Sequence, residues 1–239
     1  MWNNKKISII LPAFNEEDNI AKAIEDFSLP FVDEIIVVDN NSTDRTASEV
    51  SKTNKAILFQ GKKQGYGFAL QAGYNLATGD YLITAEPDGT FLGRDILKLL
   101  AYSEDSEVIF GTRTNKRLVW EGANMDFLLL VGNWLVAKLI EILFNTTTLS
   151  DVGCTMKLIK KEAFLKIKDK FMVGGSYFSA EFMLVVITSH LSFIEIPVNY
   201  KSRIGTSKIT GSKIKTIYVA FRMIGLIFTF WIRKFFGKL

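Results

Sequence analysis

The chain has 239 residues, 48% of them hydrophobic, and its 29 Lys and Arg against 25 Asp and Glu give a net charge of +4. This length allows one large domain, or a domain with an appendage. A mean hydropathy of +0.18 is high for a purely soluble protein and indicates apolar surface covered by a partner or a membrane. The basic excess is small, and no dense run of Lys and Arg is interleaved with aromatic residues, so the sequence does not indicate nucleic-acid binding.

The counts of cysteine and histidine exclude several kinds of chemistry. The single cysteine, Cys154, cannot form an internal disulfide and agrees with a reducing compartment. The single histidine, His190, leaves no His-based metal site or catalytic triad, so catalysis must use carboxylates, Arg and Lys. No signal-peptide hydrophobic stretch precedes the first apolar run, and we therefore expect the globular part to face the cytoplasm.

In the first half of the chain, apolar runs typical of β-strands alternate with segments of helical periodicity. The runs comprise residues 7–11, 34–38, 56–59, 80–85 and 108–110. This alternation predicts an α/β fold with a Rossmann-like, mostly parallel sheet and flanking helices. Because ligands bind at the carboxyl ends of the strands in such sheets, we expect one site formed by the loops at residues 12–16, 39–44 and 86–90.

Two carboxylates lie two residues apart where the fourth predicted strand ends. Glu86 and Asp88 would point to the same side, with Pro87 stiffening the backbone between them. Hard oxygen ligands suit Mg²⁺ or Mn²⁺, which in proteins usually take one or two carboxylates together with water and substrate phosphates. The pattern therefore predicts a Mg²⁺ or Mn²⁺ site that binds a nucleotide diphosphate.

The second half of the chain contains two long apolar helical segments. In residues 127–144 one polar stripe interrupts a wide apolar face, and it consists of Asn133, Lys138 and Glu141. In residues 216–239 a single polar line consists of Tyr218, Arg222, Thr229 and Arg233.

We expect both segments to lie in the membrane interface. A spanning helix needs roughly 20 apolar residues, whereas residues 217–232 provide 16 and include an arginine. Amphipathic helices with Arg and Lys directed to lipid phosphates fit this pattern, and two core or dimer helices are the alternative. The predicted division is a domain of residues 1–211 and a C-terminal membrane-interface helix of residues 212–239.

Four motifs in this order resemble the inverting family 2 glycosyltransferases of GT-A fold. They are residues 11–17 (LPAFNEE), 38–46 (VDNNSTDRT), 86–88 (EPD) and 203–208 (RIGTSK). Within that family the chain looks most like the polyprenyl-phosphate sugar transferases of the dolichyl-phosphate mannose synthase type. The resemblance implies transfer of a hexose from a UDP- or GDP-linked sugar.

The resemblance also implies roles for particular residues. The nucleoside would be held by Pro12, Phe14, Glu16 and Asp39. The metal motif would be Glu86 and Asp88, with Thr90 at a third ligand position that is often Gln. Glu86 replaces the usual Asp, so it would bind the metal directly, bind through water, or orient the ribose. Closure over the diphosphate would fall to Arg203 and Lys208.

The acceptor determines whether a general base is needed. A polyprenyl phosphate is already ionised at pH 7, because the second pKa of a phosphate monoester is about 6. It would need a basic patch, which sequence order places at Arg113, Lys116 and Arg117. A hydroxyl of a glycan or lipid-linked saccharide would instead need a carboxylate base, for which Asp151 and Glu181 are the candidates.

The leading hypothesis is a metal-dependent transferase that acts on a polyprenyl phosphate at the cytoplasmic face of a membrane. The first alternative is the same fold with a glycan acceptor. The second is a membrane-attached subunit that binds a nucleotide sugar without turnover, which the departures at Glu86 and Thr90 motivate. The sequence is compatible with a homo-oligomer in each case.

Overall fold

The structure is a computed structural model that describes residues 1–123, 125, 127–204 and 213–237. In its first half, strands and helices alternate as predicted. They are β1 (Ile7–Ala13), α1 (Ile20–Phe27), β2 (Glu34–Asp39), α2 (Thr46–Thr53), β3 (Ile57–Gln60), α3 (Tyr66–Leu76), β4 (Tyr81–Thr84), α4 (Ile96–Ala101) and β5 (Val108–Thr112).

The second half is richer in helix. It contains α5 (Phe127–Phe144), β6 (Lys157–Lys160), α6 (Lys161–Ile167), α7 (Phe178–Thr188), β7 (Phe193–Pro197) and α8 (Lys213–Phe235). Strand β6 and helix α6 were not predicted, because a four-residue run flanked by two lysines carries no clear periodicity.

The strands form one seven-stranded sheet in the order β3-β2-β1-β4-β6-β5-β7. The first four strands are parallel, and β5 is parallel to β7. Strand β6 lies between β4 and β5 and is antiparallel to both. The predicted α/β class with a mostly parallel sheet is confirmed.

Both faces of the sheet are covered, which explains the continuous apolar runs of its central strands. Alternate residues of β1 enter different clusters: Ile10 packs with α3, α5 and α7, whereas Ile9 and Leu11 pack with α1 and α4. Every residue of β1 is buried. Its carboxyl end therefore presents the following loop from a rigid support.

Helix α8 packs against α5 and α7 through one side only. Ile227 and Phe230 are buried in the core, whereas much of the helix is exposed. Of the described residues, Ile214–Phe235 is long and apolar enough to cross a membrane, with a mean hydropathy of 1.4 and only 11% of its most apolar stretch buried. By length and composition this helix could therefore cross a membrane, and its placement in the membrane interface stays a prediction.

Two residues of the polar line of α8, and the adjacent Lys234, contact other parts of the protein. Arg222 Nη2 donates to the Tyr177 hydroxyl at 2.7 Å, and Arg233 Nη1 lies 3.5 Å from Met172 Sδ. Lys234 Nζ donates to the carbonyl of Phe144 at the end of α5, at 3.2 Å. These contacts fix the helix against α5 and α7 and leave its apolar side facing outward.

Candidate active site

A cavity of about 610 Å³ begins at the carboxyl ends of β1 and β4 and continues between α5 and α8. Its lining includes eight residues that the sequence predicted for the site: Pro12, Phe14, Glu16, Glu86, Asp88, Thr90, Arg113 and Arg203. We call the end formed by the loops after β1 and β4 the donor end, and the part between α5 and α8 the apolar arm.

Asp88 is held by several contacts at the donor end. Its Oδ1 accepts hydrogen bonds from the Thr90 backbone N–H at 3.0 Å and hydroxyl at 2.6 Å. Its Oδ2 forms a 2.6 Å ion pair with Arg203 Nη2. Thr90 therefore orients Asp88, and Arg203 brings a positive charge from the segment after β7 onto the loop after β4.

Glu86 is held by a residue that the sequence did not single out. The hydroxyl of Tyr66, at the start of α3, donates to Glu86 Oε1 at 2.9 Å. Burial and the nearby charge of Asp88 raise the pKa of Glu86 to about 7. Pro87 is buried between the two acids and does not line the cavity.

The acid pair fits a divalent cation by its donor set. Two carboxylates lie on one short loop, and a bound cation would relieve both causes of the raised pKa of Glu86, which are its burial and the nearby charge of Asp88. Among the residues that the structure describes, no three His, Cys, Asp or Glu side chains cluster. A cation held here would complete its shell with water and substrate oxygens, as Mg²⁺ commonly does.

The loops after β1 and β2 are tied together, which positions Glu16. The backbone N–H groups of Asn15 and Glu16 donate to Ser42 Oγ at 2.9 Å and to Thr46 Oγ1 at 2.8 Å. Asn19 Nδ2 donates to Glu16 Oε2 at 2.9 Å and to the carbonyl of Ile204 at 3.1 Å. Glu16 thus faces the donor end beside the Arg203 segment.

Asp39 does not lie where its predicted role in holding the nucleoside requires. It is 2% exposed, does not line the cavity, and accepts a 3.0 Å hydrogen bond from the Ser42 backbone N–H. In this conformation it shapes the loop after β2 and does not face the cavity. Its neighbour Asn40 lines the cavity instead and accepts from the Gly65 N–H at 2.8 Å.

Arg113 lies at the junction between the donor end and the apolar arm. Its Nε and Nη2 donate to Asp151 Oδ2 at 2.8 Å and Oδ1 at 2.9 Å, and its backbone N–H adds a third bond at 2.9 Å. The Arg113 guanidinium also lies 4.9 Å from the ring centre of Tyr200, which lines the same cavity. The guanidinium is thereby fixed with one side toward the cavity.

The geometry argues against Asp151 as a general base. Burial alone would raise the pKa of Asp151, but the charge and hydrogen bonds of Arg113 outweigh burial and hold it below its usual value. The carboxylate is 1% exposed, does not line the cavity, and also accepts from the Gly153 N–H at 3.0 Å. Asp151 positions Arg113 and has no free approach to a substrate.

Glu181 does not reach the cavity either. It is fully buried and accepts from the backbone N–H groups of Met172 at 2.8 Å and Val173 at 2.9 Å. Burial raises its pKa despite these bonds. Its position explains a structural role in holding the loop before α7 and contradicts the prediction of a base at the site.

Two of the remaining predicted residues lie away from the cavity. Lys116 and Arg117 are exposed and do not line it, so Arg113 is the only one of the three basic candidates that does. Lys208 lies outside the described residues. The sequence missed Tyr66 and Tyr200, although Tyr200 lies only three residues before Arg203.

Comparison with known families matches residues 8–168 to the family described as Glycosyl transferase family 2. This is more than half of the chain, and the chain therefore belongs to that family. The predicted family, the GT-A fold and the nucleotide-sugar glycosyltransferase class are confirmed, which disfavours the alternative of a subunit without turnover.

Two relatives with named activities are similar to this chain. The low-salt glycan biosynthesis hexosyltransferase Agl6 of Haloferax volcanii is 27% identical over 210 residues, which are 85% of this chain and 49% of the relative. The chain thus spans about half the length of that protein. A dolichyl-phosphate beta-glucosyltransferase of Saccharomyces cerevisiae is 25% identical, covering 81% of this chain and 66% of the relative.

Solved structures share the fold. Glucosyl-3-phosphoglycerate synthase from Mycobacterium tuberculosis, in complex with Mn²⁺, UDP-glucose and phosphoglyceric acid, superposes with a TM-score of 0.73 at 16% identity. The match covers 95% of this chain and 80% of that structure. At this identity the likeness establishes the fold alone.

Proposed function

We propose that the protein transfers a hexose from a nucleotide diphosphate sugar to a polyprenyl phosphate at a membrane surface, with Mg²⁺ or Mn²⁺. The observation that carries this proposal is the shape of the cavity. One continuous space joins a polar donor end, with Glu16, Glu86, Asp88 and Arg203, to the apolar arm between α5 and α8. A substrate that fills both parts has a charged head and a hydrocarbon chain.

The charges of the donor end suit a nucleotide diphosphate. Glu16 can accept two hydrogen bonds from a ribose diol, as a carboxylate can. The UDP complexes of the mycobacterial fold neighbour contain Mn²⁺ or Mg²⁺. Here Asp88 and Glu86 are the residues that would hold such a cation, which would stabilise the negative charge that develops on the leaving diphosphate.

Arg203 supports the same step from the protein side. Its guanidinium pairs with Asp88 at 2.6 Å and lies 3.8 Å from Glu16, so it lies between the residues proposed for the metal and for the nucleoside. A planar guanidinium can donate two parallel hydrogen bonds to a diphosphate. Lys208 follows in the same motif and remains a proposed partner of Arg203.

The carboxylates that line the cavity support an acceptor that needs no base. Among the described lining residues, the acids are Glu16, Glu86 and Asp88, and all three belong to the donor end. The junction with the apolar arm carries Arg113, a fixed cation. A phosphate oxygen bound there is already charged at pH 7 and can attack the anomeric carbon directly.

The outer surface of the helices supports placement on a membrane. The exposed apolar side chains of α5 and α8 include Phe127, Ile142, Ile214, Phe221, Trp231 and Phe235. Exposed basic residues stand near both ends of α8, at Lys215 and at Arg233 and Lys234. Apolar side chains flanked by Lys and Arg favour an anionic lipid surface, with the arm of the cavity opening toward the acyl region.

A glycan hydroxyl is the second candidate acceptor, and one observation favours it. Glu86, with its pKa raised to about 7, has the proton affinity that a general base needs near neutral pH. The Haloferax relative is a hexosyltransferase of glycan biosynthesis. A cation bound beside Glu86 would lower its pKa again and weaken this candidate, since a positive charge favours the carboxylate.

Extraction of labelled product tests the proposal. The purified protein is incubated with Mn²⁺, labelled UDP- or GDP-sugars and a polyprenyl phosphate, and the label in the organic phase is counted. We expect label with the intact protein and none when Mn²⁺ is chelated. An empty organic phase with release of free nucleotide diphosphate in the presence of a glycan would transfer the assignment to the second candidate.

A further inference from the structure

A glycine in the middle of α5 faces the cavity. Gly132 lines the apolar arm, and a Cβ placed on it meets no atom of the described residues within 4 Å. Glycine is among the poorest helix formers, because it loses the most backbone freedom on folding. Close packing against another helix usually explains such a residue, and here no described neighbour is close enough to require it.

Asn133, the residue after Gly132 on α5, lies close to Arg113. A Cβ on Gly153 would come within 2.5 Å of Asn133 Oδ1 and 2.8 Å of Arg113 Nη2. Asn133 and Arg113 therefore approach the same backbone point, and Gly132 is adjacent to Asn133 along α5. Gly132, Asn133 and Arg113 line the same cavity, so Gly132 lies on the part of α5 that is near Arg113.

We infer that Gly132 is a specificity-determining residue, which keeps the arm wide enough for the first, phosphate-proximal part of a branched isoprenoid chain. This inference rests on the proposed function, because it assumes that a lipid phosphate occupies the arm. A methyl branch on the chain requires more width than a straight hydrocarbon, and a side chain at position 132 would take up that width. The residue acts by its lack of a side chain.

The chain offers a matched control on the other wall helix. Gly225 is also a mid-helix glycine, and a Cβ placed on it likewise meets no described atom within 4 Å, but it is exposed on α8 and does not line the cavity. Gly132→Leu and Gly225→Leu thus add the same side chain to helices of similar kind. Both changes raise helix propensity, so neither is expected to lower the thermal midpoint of unfolding.

The test compares wild type, Gly132→Ala, Gly132→Leu and Gly225→Leu in two assays. The first measures kcat/KM for polyprenyl phosphate and KM for the donor. The second measures direct binding of labelled polyprenyl phosphate without donor. For Gly132→Leu we expect acceptor kcat/KM and affinity to fall about tenfold or more, since a filled space excludes the chain. The alanine variant should fall less, and donor KM should stay unchanged in all variants.

The outcomes separate this inference from the proposed function. If Gly132→Leu matches Gly225→Leu in both assays while wild type transfers sugar to the lipid, the inference is wrong and the function stands. If wild type binds the lipid phosphate and Gly132→Leu does not, but wild type transfers no sugar to it, the function is wrong and the inference stands. If wild type neither binds nor uses the lipid phosphate, both are overturned.

Discussion

The donor end and the apolar arm are built in different ways. The donor end consists of short loops that follow buried parallel strands, and its side chains are fixed by hydrogen bonds such as those from Thr90 and Arg203 to Asp88. The apolar arm lies between two long helices, and among its described lining residues the fixed charge is Arg113 at the junction. Under the proposed function, we therefore expect donor recognition to depend on precise polar geometry and acceptor recognition to depend on space and one cation.

The largest effect should come from removing that cation. Arg113→Met leaves the buried Asp151 carboxylate without its partner, and breaking a buried ion pair in this way costs about 3–5 kcal/mol of unfolding free energy. Urea denaturation measures the loss. The double variant Arg113→Met with Asp151→Asn removes both charges and should recover much of the stability.

Kinetics with the acceptor then distinguish a structural role of Arg113 from a role in binding the acceptor phosphate. The double variant should retain a high KM for polyprenyl phosphate with an unchanged KM for the donor, because the cation at the junction is still missing. A double variant that regains the wild-type acceptor KM would show that Arg113 has only a structural role and would remove the contrast between the two ends.

Loss of the Asp88 charge at the donor end should lower kcat. Asp88→Asn keeps the size of the side chain and an acceptor for Thr90, but it loses the charge that attracts Arg203 and would hold a cation. We expect kcat to fall about 10²–10³-fold, as for the loss of one group that stabilises developing charge. A Mn²⁺ titration of initial rates, with the exposed Asp105→Asn as control, checks this. Equal rates for the two variants would contradict the metal assignment.

Substitutions on the exposed side of α8 should weaken membrane binding without changing the chemical step. Phe221 and Phe235 are 70% and 78% exposed, and glutamate at both positions opposes their insertion into lipid. We expect binding to anionic vesicles, measured by co-sedimentation, to fall about tenfold or more, because burial of each phenylalanine contributes about 1.5–3 kcal/mol. Leu165→Glu, at an exposed position of helix α6, should leave vesicle binding unchanged. Equal binding of all three proteins would disprove the membrane face.

A pH-dependent effect is expected in the wall behind the junction. Lys157 is buried, its Nζ donates to Ser179 Oγ at 2.9 Å and to the Cys154 carbonyl, and burial lowers its pKa from 10.5 to about 8. Between these values the unfolded chain binds more protons than the folded protein, so stability rises with pH by up to about 1.4 kcal/mol per unit. Unfolding at pH 7.5 to 10 should show this rise in wild type and lose it in Lys157→Met.

The same contrast explains how much could be predicted from the sequence. The strands and the loops after them lie within short segments, so periodicity and motif order were enough for the fold class and for the grouping of Glu16, Asp88 and Arg203. Asp39 shows the limit of such predictions, because a side chain at the end of a strand can turn toward its own loop and away from the cavity. Only the contacts of the folded chain decide that direction.

The junction and the apolar arm depend on pairs of residues that are distant in the chain. Arg113 and Asp151 are 38 residues apart, and the sequence placed the acid among candidate bases because nothing local marks it as a partner of the arginine. Strand β6, which separates β4 from β5, is short and lysine-flanked. The open space at Gly132 follows from how α5 and α8 pack, which no periodicity encodes.

The most direct test compares two acceptors that differ only in the phosphate. The full chain is supplied with Mn²⁺, labelled donor and either polyprenyl phosphate or the corresponding polyprenol, and transfer is followed from pH 5 to 8. The account predicts transfer to the phosphate alone, with a rate that rises as the acceptor phosphate ionises near its second pKa of about 6. Comparable transfer to the polyprenol would require a protein base at the junction and would contradict the account.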